Sequence, residues 1–287
     1  MGSSAYRQIR LVLLLLAIAV SAGWFLFSHP GHAAAATAAT GPRRPVLVEL
    51  FTSEGCSSCP PADALLARLD ATQFVPGAQA IVLSEHVTYW NQLGWRDPFS
   101  SDAMTERQQH YAAHFGLDSV YTPQAVVDGA AEMVGNDTGA LSRAISRAAL
   151  TPKADITIEN VQWSGDAVHF SVRAAAGAHA TLTVVLAEDA TQSTVARGEN
   201  AGRTLHHVAV VRALEQTAGS SADGRPLVLK LPMQHSNSTP LRLVAFLTSP
   251  SSGHVLAVAE QSIAPQAIPS DTHQAAVPAP APLPSSR

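Results

Sequence analysis

Two periodicities divide the chain. Between residues 45 and 149, short apolar runs alternate with segments whose apolar positions recur at helical spacing. After residue 152 the helical spacing disappears, and strand-length runs follow one another between turn residues.

The first half opens on PVLVELF, with Val46 to Phe51 almost unbroken in apolar and β-branched residues. A run of that length predicts a strand buried on both faces. The stretch Thr52–Gly55 turns, and Cys-Ser-Ser-Cys follows. Pro60-Pro61 then opens a helix carrying Leu65, Leu66 and Leu69 on one face, proline being tolerated in a first helical turn. Ala80 to Leu83 is a second strand. An aromatic-rich irregular segment runs from Glu85 to Ser101. Ser101 or Asp102 caps a second helix that ends at Gly116. Gln124 to Val127 and Glu132 to Val134 form a hairpin about Asp128-Gly129, and Asn136 or Asp137 caps a third helix bearing Leu141 and Ile145. The expected order is β-α-β-α-β-β-α, a mixed sheet with helices on both faces.

Seven candidate strands follow: Asp155–Val161, Ala167–Arg173, Thr181–Ala187, Thr204–Ala213, Pro226–Leu231, Leu241–Thr248 and Val255–Gln261. Seven short strands with turns between them predict an all-β sandwich of immunoglobulin-like architecture. The expected division is residues 43–150 for the α/β part, 153–264 for the sandwich, and a Pro/Ala-rich tail over 265–287 too poor in apolar mass to fold.

The first 40 residues read as targeting, not fold. Arg7 and Arg10 precede a 17-residue apolar run, Leu11 to Phe27, and alanines follow. That order predicts export to the periplasm or the exterior, with residues 11–27 either removed with the signal or kept as a membrane tether. Only 14% of the 287 residues are charged, the net charge is −4 and no basic block is present. Nucleic acid is therefore not an expected partner.

The chain has two cysteines, both in one C-x-x-C. The predicted strand, turn and helix place Cys56 at the positive end of a helix dipole, which stabilises a thiolate. Cys56 is the candidate nucleophile and Cys59 the resolving thiol. Thiol–disulfide exchange with protein or small-molecule thiols, served by an envelope redox partner, needs no cofactor beyond the Cys56–Cys59 dithiol. The alternatives are Cu(I) handling with His86 as third ligand, a zinc half-site, or a redox-inactive binding scaffold. Glu49, seven residues before Cys56, is a candidate proton acceptor. His86 and Trp90 are candidate rim residues for substrate. Asp63 is expected only to favour the helix start.

The C-x-x-C at a first helix, with Thr122-Pro123 before the third strand, resembles thioredoxin-like proteins. That resemblance implies a cis Thr122–Pro123 bond facing the disulfide, and backbone groups there that dock an extended substrate. The chain departs from thioredoxin in having Gly55, not tryptophan, before Cys56. FTSEGCSSCPPAD, HVTYWNQLGWRDPF, VYTPQAVVDG and ARGENAGRTLHHVAVVR together are similar to a bacterial secreted family known only as domain of unknown function 1223. The resemblance covers about residues 45–262, and it implies a thioredoxin-like fold without naming a reaction.

Overall fold

A computed structural model describes residues 42–175, 179–231 and 239–265. The expected signal or tether (residues 1–40, with 11–27 inside it) and nearly all of the expected tail lie outside these residues. Among the described residues no helix is long and apolar enough to cross a membrane.

The first-half elements appear in the expected order: β1 (Arg44–Thr52), α1 (Pro60–Thr72), β2 (Ala78–His86), α2 (Asp102–Phe115), β3 (Gln124–Val127), β4 (Ala131–Val134) and α3 (Thr138–Ala148). Local chemistry sets their ends. Ser101 accepts from the Met104 N–H at the start of α2, and Gly116 in the left-handed region ends it. Asp137 accepts from the Ala140 N–H at 2.8 Å to cap α3. Asp128 and Gly129, with φ of 50° and 61°, turn the β3–β4 hairpin. β1 runs parallel to β2 and antiparallel to β3.

Seven more strands follow: β5 (Ile156–Ser164), β6 (Ala167–Ala174), β7 (Thr181–Thr194), β8 (Thr204–Ala218), β9 (Asp223–Lys230), β10 (Leu241–Thr248) and β11 (Val255–Ile263). Each coincides with an expected strand, but their assembly does not follow the expectation. The predicted fold class, a thioredoxin-like domain followed by a separate immunoglobulin-like sandwich, is overturned. One eight-stranded sheet runs β11-β10-β7-β8-β2-β1-β3-β4 through both halves, and only β5-β6-β9 form a second sheet. The join is a parallel pairing of β2 with β8 at Ser84 and Val210.

The reason is two-sided burial. Leu182, Val184 and Leu186 of β7, with Leu243, Ala245 and Leu247 of β10, pack toward Val168, Phe170 and Leu229 of the small sheet. The intervening Val185, Ala187, Val244 and Phe246 enter a different core, shared with β1, β2, α1 and α3. A sandwich strand would show one of these faces to water; here each such side chain adds about 1.5–3 kcal/mol of burial on the second face as well. Polar ties reinforce the union. Arg242 of β10 grips both oxygens of Asp70 on α1 at 2.7 Å. At the other end Val255 donates to the Asp128 carbonyl at 2.9 Å. Gly129 packs so close there that a Cβ would meet the Gly253 carbonyl oxygen at 2.2 Å.

Candidate functional site

β1 ends in a buried turn, Ser53 to Gly55, and the two cysteines follow. Cys56 and Cys59 form a disulfide with Cα atoms 5.4 Å apart. Cys59 is the N-cap of α1, with prolines next in its first turn, so the pair sits where helix N–H groups face outward. The Ser58 hydroxyl lies 3.3 Å from the Cys56 sulfur. Ser57 and Ser58 are exposed, yet Cys56 and Cys59 are both 0% exposed. A sulfur that substrate can reach, as exchange requires, is not present in this closed arrangement.

The Val195–Arg203 loop joining β7 to β8 lies against this turn. Asn200 donates from one Nδ2 to the carbonyls of Glu54 (2.8 Å) and Cys56 (2.9 Å). Glu199 accepts from the Ser57 N–H at 2.9 Å. The Ser57 hydroxyl and amide hold the Glu199 carboxyl below the usual carboxylate range. Across the loop, a Cβ at Gly198 would lie 3.2 Å from that of Trp95.

Thr122–Pro123 is a cis peptide bond. Trp90 links it to Gly55, the residue before Cys56. Its Nε1 donates to Thr122 Oγ1 at 2.8 Å, and its Cβ lies 3.1 Å from where a Gly55 Cβ would be. That close approach is a physical reason for glycine before Cys56. Pro123 is buried and shares a contact at Gly135 with Ala62 of α1.

Glu49 and His86 are interior groups. Glu49 Oε1 accepts from Arg107 Nε at 2.6 Å and Oε2 from the Tyr111 hydroxyl at 2.6 Å. Glu85 shares the same arginine at 3.5 Å; burial, then the Glu49 charge, pushes its carboxyl well above the usual range. His86 is buried with Nδ1 2.7 Å from Asp97 Oδ2 and Nε2 3.5 Å from Ser84 Oγ. Burial raises the Asp97 carboxyl, but His86 and the Glu54 and Phe99 amides outweigh it and hold the group below its ordinary value. Among the described residues no set of three or more His, Cys, Asp or Glu is arranged to hold a metal ion.

Three buried residues to which sequence reasoning gave no part in the chemistry complete the site. Glu54 receives Trp95 Nε1 at 2.8 Å and the Ser193 hydroxyl. Asp63 Oδ1 accepts from Thr52 Oγ1 at 2.8 Å, so it does more than favour a helix start. His207 of β8 lies between them, Nε2 3.5 Å from Glu54 and Nδ1 3.7 Å from Asp63, with its ring edge-on to His86 at 4.6 Å. Alternation along β8 does put His206 outside and His207 inside, but the acids it meets lie some 150 residues earlier, beyond any local signal.

Residues 47–248 match the family described as protein of unknown function (DUF1223). The chain belongs to that family. A solved structure similar to this DUF1223 chain is a structural genomics target from Agrobacterium tumefaciens. It shares 26% identity at a TM-score of 0.54, covering 79% of this chain and 96% of that one. Ruminococcus gnavus β-glucuronidase overlaps 39% of this chain and 15% of its own, at 12% identity and a TM-score of 0.22, too low to carry a fold argument. No curated protein matches the chain. The family and its Cys56–Cys59 pair are compatible with redox chemistry.

Proposed function

We propose that this DUF1223 protein is an exported thiol–disulfide exchange protein acting on protein or small-molecule thiols. Cys56 is the sulfur attacked and Cys59 the one released and re-formed. The observation that carries this reading is a disulfide closed at the start of α1, with Trp90 bridging from Gly55, the residue before Cys56, to Thr122. The Ser58 hydroxyl beside Cys56 and the helix start both favour a thiolate there. Because neither cysteine is exposed, exchange requires the Val195–Arg203 loop to lift from the turn, with loss of the Asn200 and Glu199 contacts. Trp90, Thr122 and Pro123 would then border the opened sulfur.

The test is reduction of the folded protein by dithiothreitol, followed by insulin reduction with wild type and Cys56→Ser. Expected is native-state reduction within minutes and catalysis lost in the variant. A disulfide that yields only on global unfolding would sink the reading. The burial of both sulfurs favours that rival: a binding scaffold in which Cys56–Cys59 is a staple, with a reduction rate equal to the unfolding rate.

A further inference from the structure

The polar atoms between Asp63 and His207 are incompletely used. Asp63 Oδ2 and both ring nitrogens of His207 are buried without a hydrogen-bond partner, and so is the hydroxyl of Thr191, which sits opposite His207 in the β7–β8 ladder. Buried polar atoms are nearly always bonded, so such a gathering asks for a reason. Its position supplies one. Cys59 caps α1 and Asp63 lies four residues further on, so their side chains leave the helix one turn apart, and the Asp63 N–H donates to the Cys59 carbonyl at 3.1 Å. The free oxygen of Asp63 faces His207.

Breaking the disulfide releases a sulfur anion at Cys59, in a site that already holds the buried carboxylates of Glu54 and Asp63. A third buried negative charge there is strongly disfavoured, so the sulfur must be protonated as it leaves. We propose that His207, seated between Glu54 and Asp63, is the positioning residue that supplies and recovers the Cys59 proton, acting through the Asp63 carboxyl; this rests on the exchange reading above.

A substrate thiolate attacks Cys56 Sγ and forms a mixed disulfide. The Cys56–Cys59 bond breaks and its electron pair goes to Cys59 Sγ. That sulfur takes a proton from His207 by way of Asp63, and His207 regains one from solvent. A second thiolate attacks the substrate sulfur, giving substrate disulfide and the Cys56 thiolate. Two electrons pass from two thiols to the protein; run in reverse, the protein dithiol reduces a substrate disulfide and Cys59 returns its proton.

The groups facing His207 are Glu54 from the turn after β1, Asp63 from α1, and His86 from β2 with Asp97 behind it. Phe99 adds an aromatic edge, with Arg212 over its ring. Burial pushes the His207 imidazolium down, but the two carboxylates outweigh it and carry the group up to about 9. At 3.5 and 3.7 Å the attraction is one of charge more than of aligned hydrogen bonds. A donor in that range is well matched to a thiol of ordinary acidity near ~8.5.

The experiment measures dithiothreitol reduction of the folded protein from pH 6 to 10, normalised to the reductant thiolate. It compares wild type, His207→Gln and the exposed neighbour control His206→Gln. Expected in wild type is a flat rate at low pH that falls as His207 loses its proton near pH 9. In His207→Gln the rate at pH 7 falls on the order of 10²-fold and the step near pH 9 is gone; His206→Gln matches wild type. Should His207→Gln not fold, Asp63→Asn keeps an acceptor for Thr52 and should flatten the profile likewise. Profiles of wild type and both variants that superimpose would overturn the relay and leave exchange standing. No native-state reduction in wild type would overturn both.

Discussion

Of the buried charge clusters among the described residues, two differ in the type of their cation. Around Glu49 the cation is Arg107, which donates to Glu49 and to Tyr111, while Tyr111 closes the ring back to Glu49. Between Glu54 and Asp63 the cation is His207, which no aligned hydrogen bond holds. Arginine keeps its proton throughout the accessible range and presents a planar fork that matches a carboxylate. Histidine gives its proton up and takes it back. In the first cluster the Arg107–Glu49–Tyr111 ring braces β1 against α2, although Glu85 beside it has both carboxyl oxygens without a hydrogen-bond partner; in the second the cation itself is loosely satisfied and can change charge. Closed polar rings in a core give rigidity, and open ones next to a reactive bond are where chemistry is to be sought.

Removing the arginine breaks the comparison most violently. Arg107→Met leaves Glu49 and Glu85 facing each other in the core, and an unfolding midpoint in urea should report a loss of about 3–5 kcal/mol. A loss under about 1 kcal/mol would mean that both acids are already neutral. His207→Gln should cost less, roughly 1–3 kcal/mol at pH 7, and the cost should depend on pH. The folded-state value of His207 is raised from 6.5 to about 9. The stabilisation from this group is therefore full below pH 6.5 and disappears as pH climbs through about 9. Wild type and variant should converge in stability above that, and a constant gap from pH 6 to 10 would contradict the ion pairing.

Glu85 gives a smaller effect within the rigid cluster. Its folded value is raised, so the protonated form favours folding. That contribution is full below about 4.5 and declines as pH rises toward the folded value. Glu85→Gln should flatten this dependence above pH 4.5 and change stability at pH 7 by no more than about 1 kcal/mol. The smallest effect on stability is expected at the loop. Glu199 is exposed and holds one amide, so Glu199→Gln should leave the unfolding midpoint unmoved yet raise the dithiothreitol reduction rate a few-fold. An unchanged rate would remove the loop from the argument.

Much of the chain was legible before folding. Apolar alternation located the strands, and capping residues such as Ser101, Asp137 and Gly116 located the helix ends. The cysteine spacing beside Pro60-Pro61 marked the helix start that carries the disulfide. These signals are local: each depends on neighbours within a turn or a ladder step. The runs TLTVVLA and LRLVAFL also held a clue to the joined sheet, because they lack the alternation that a half-exposed sandwich strand shows and β5 does show.

Pairing partners were not legible. A strand's pattern states which faces must be dry, not which strand lies beside it, since every backbone edge offers the same N–H and C=O groups. So the parallel join of β2 to β8, the burial of both sulfurs and the meeting of His207 with Glu54 and Asp63 came only with the tertiary structure. Charge behaves the same way. A histidine's proton affinity is set by whatever lies within a few ångströms in a dry interior, and for His207 those neighbours come from the other end of the chain.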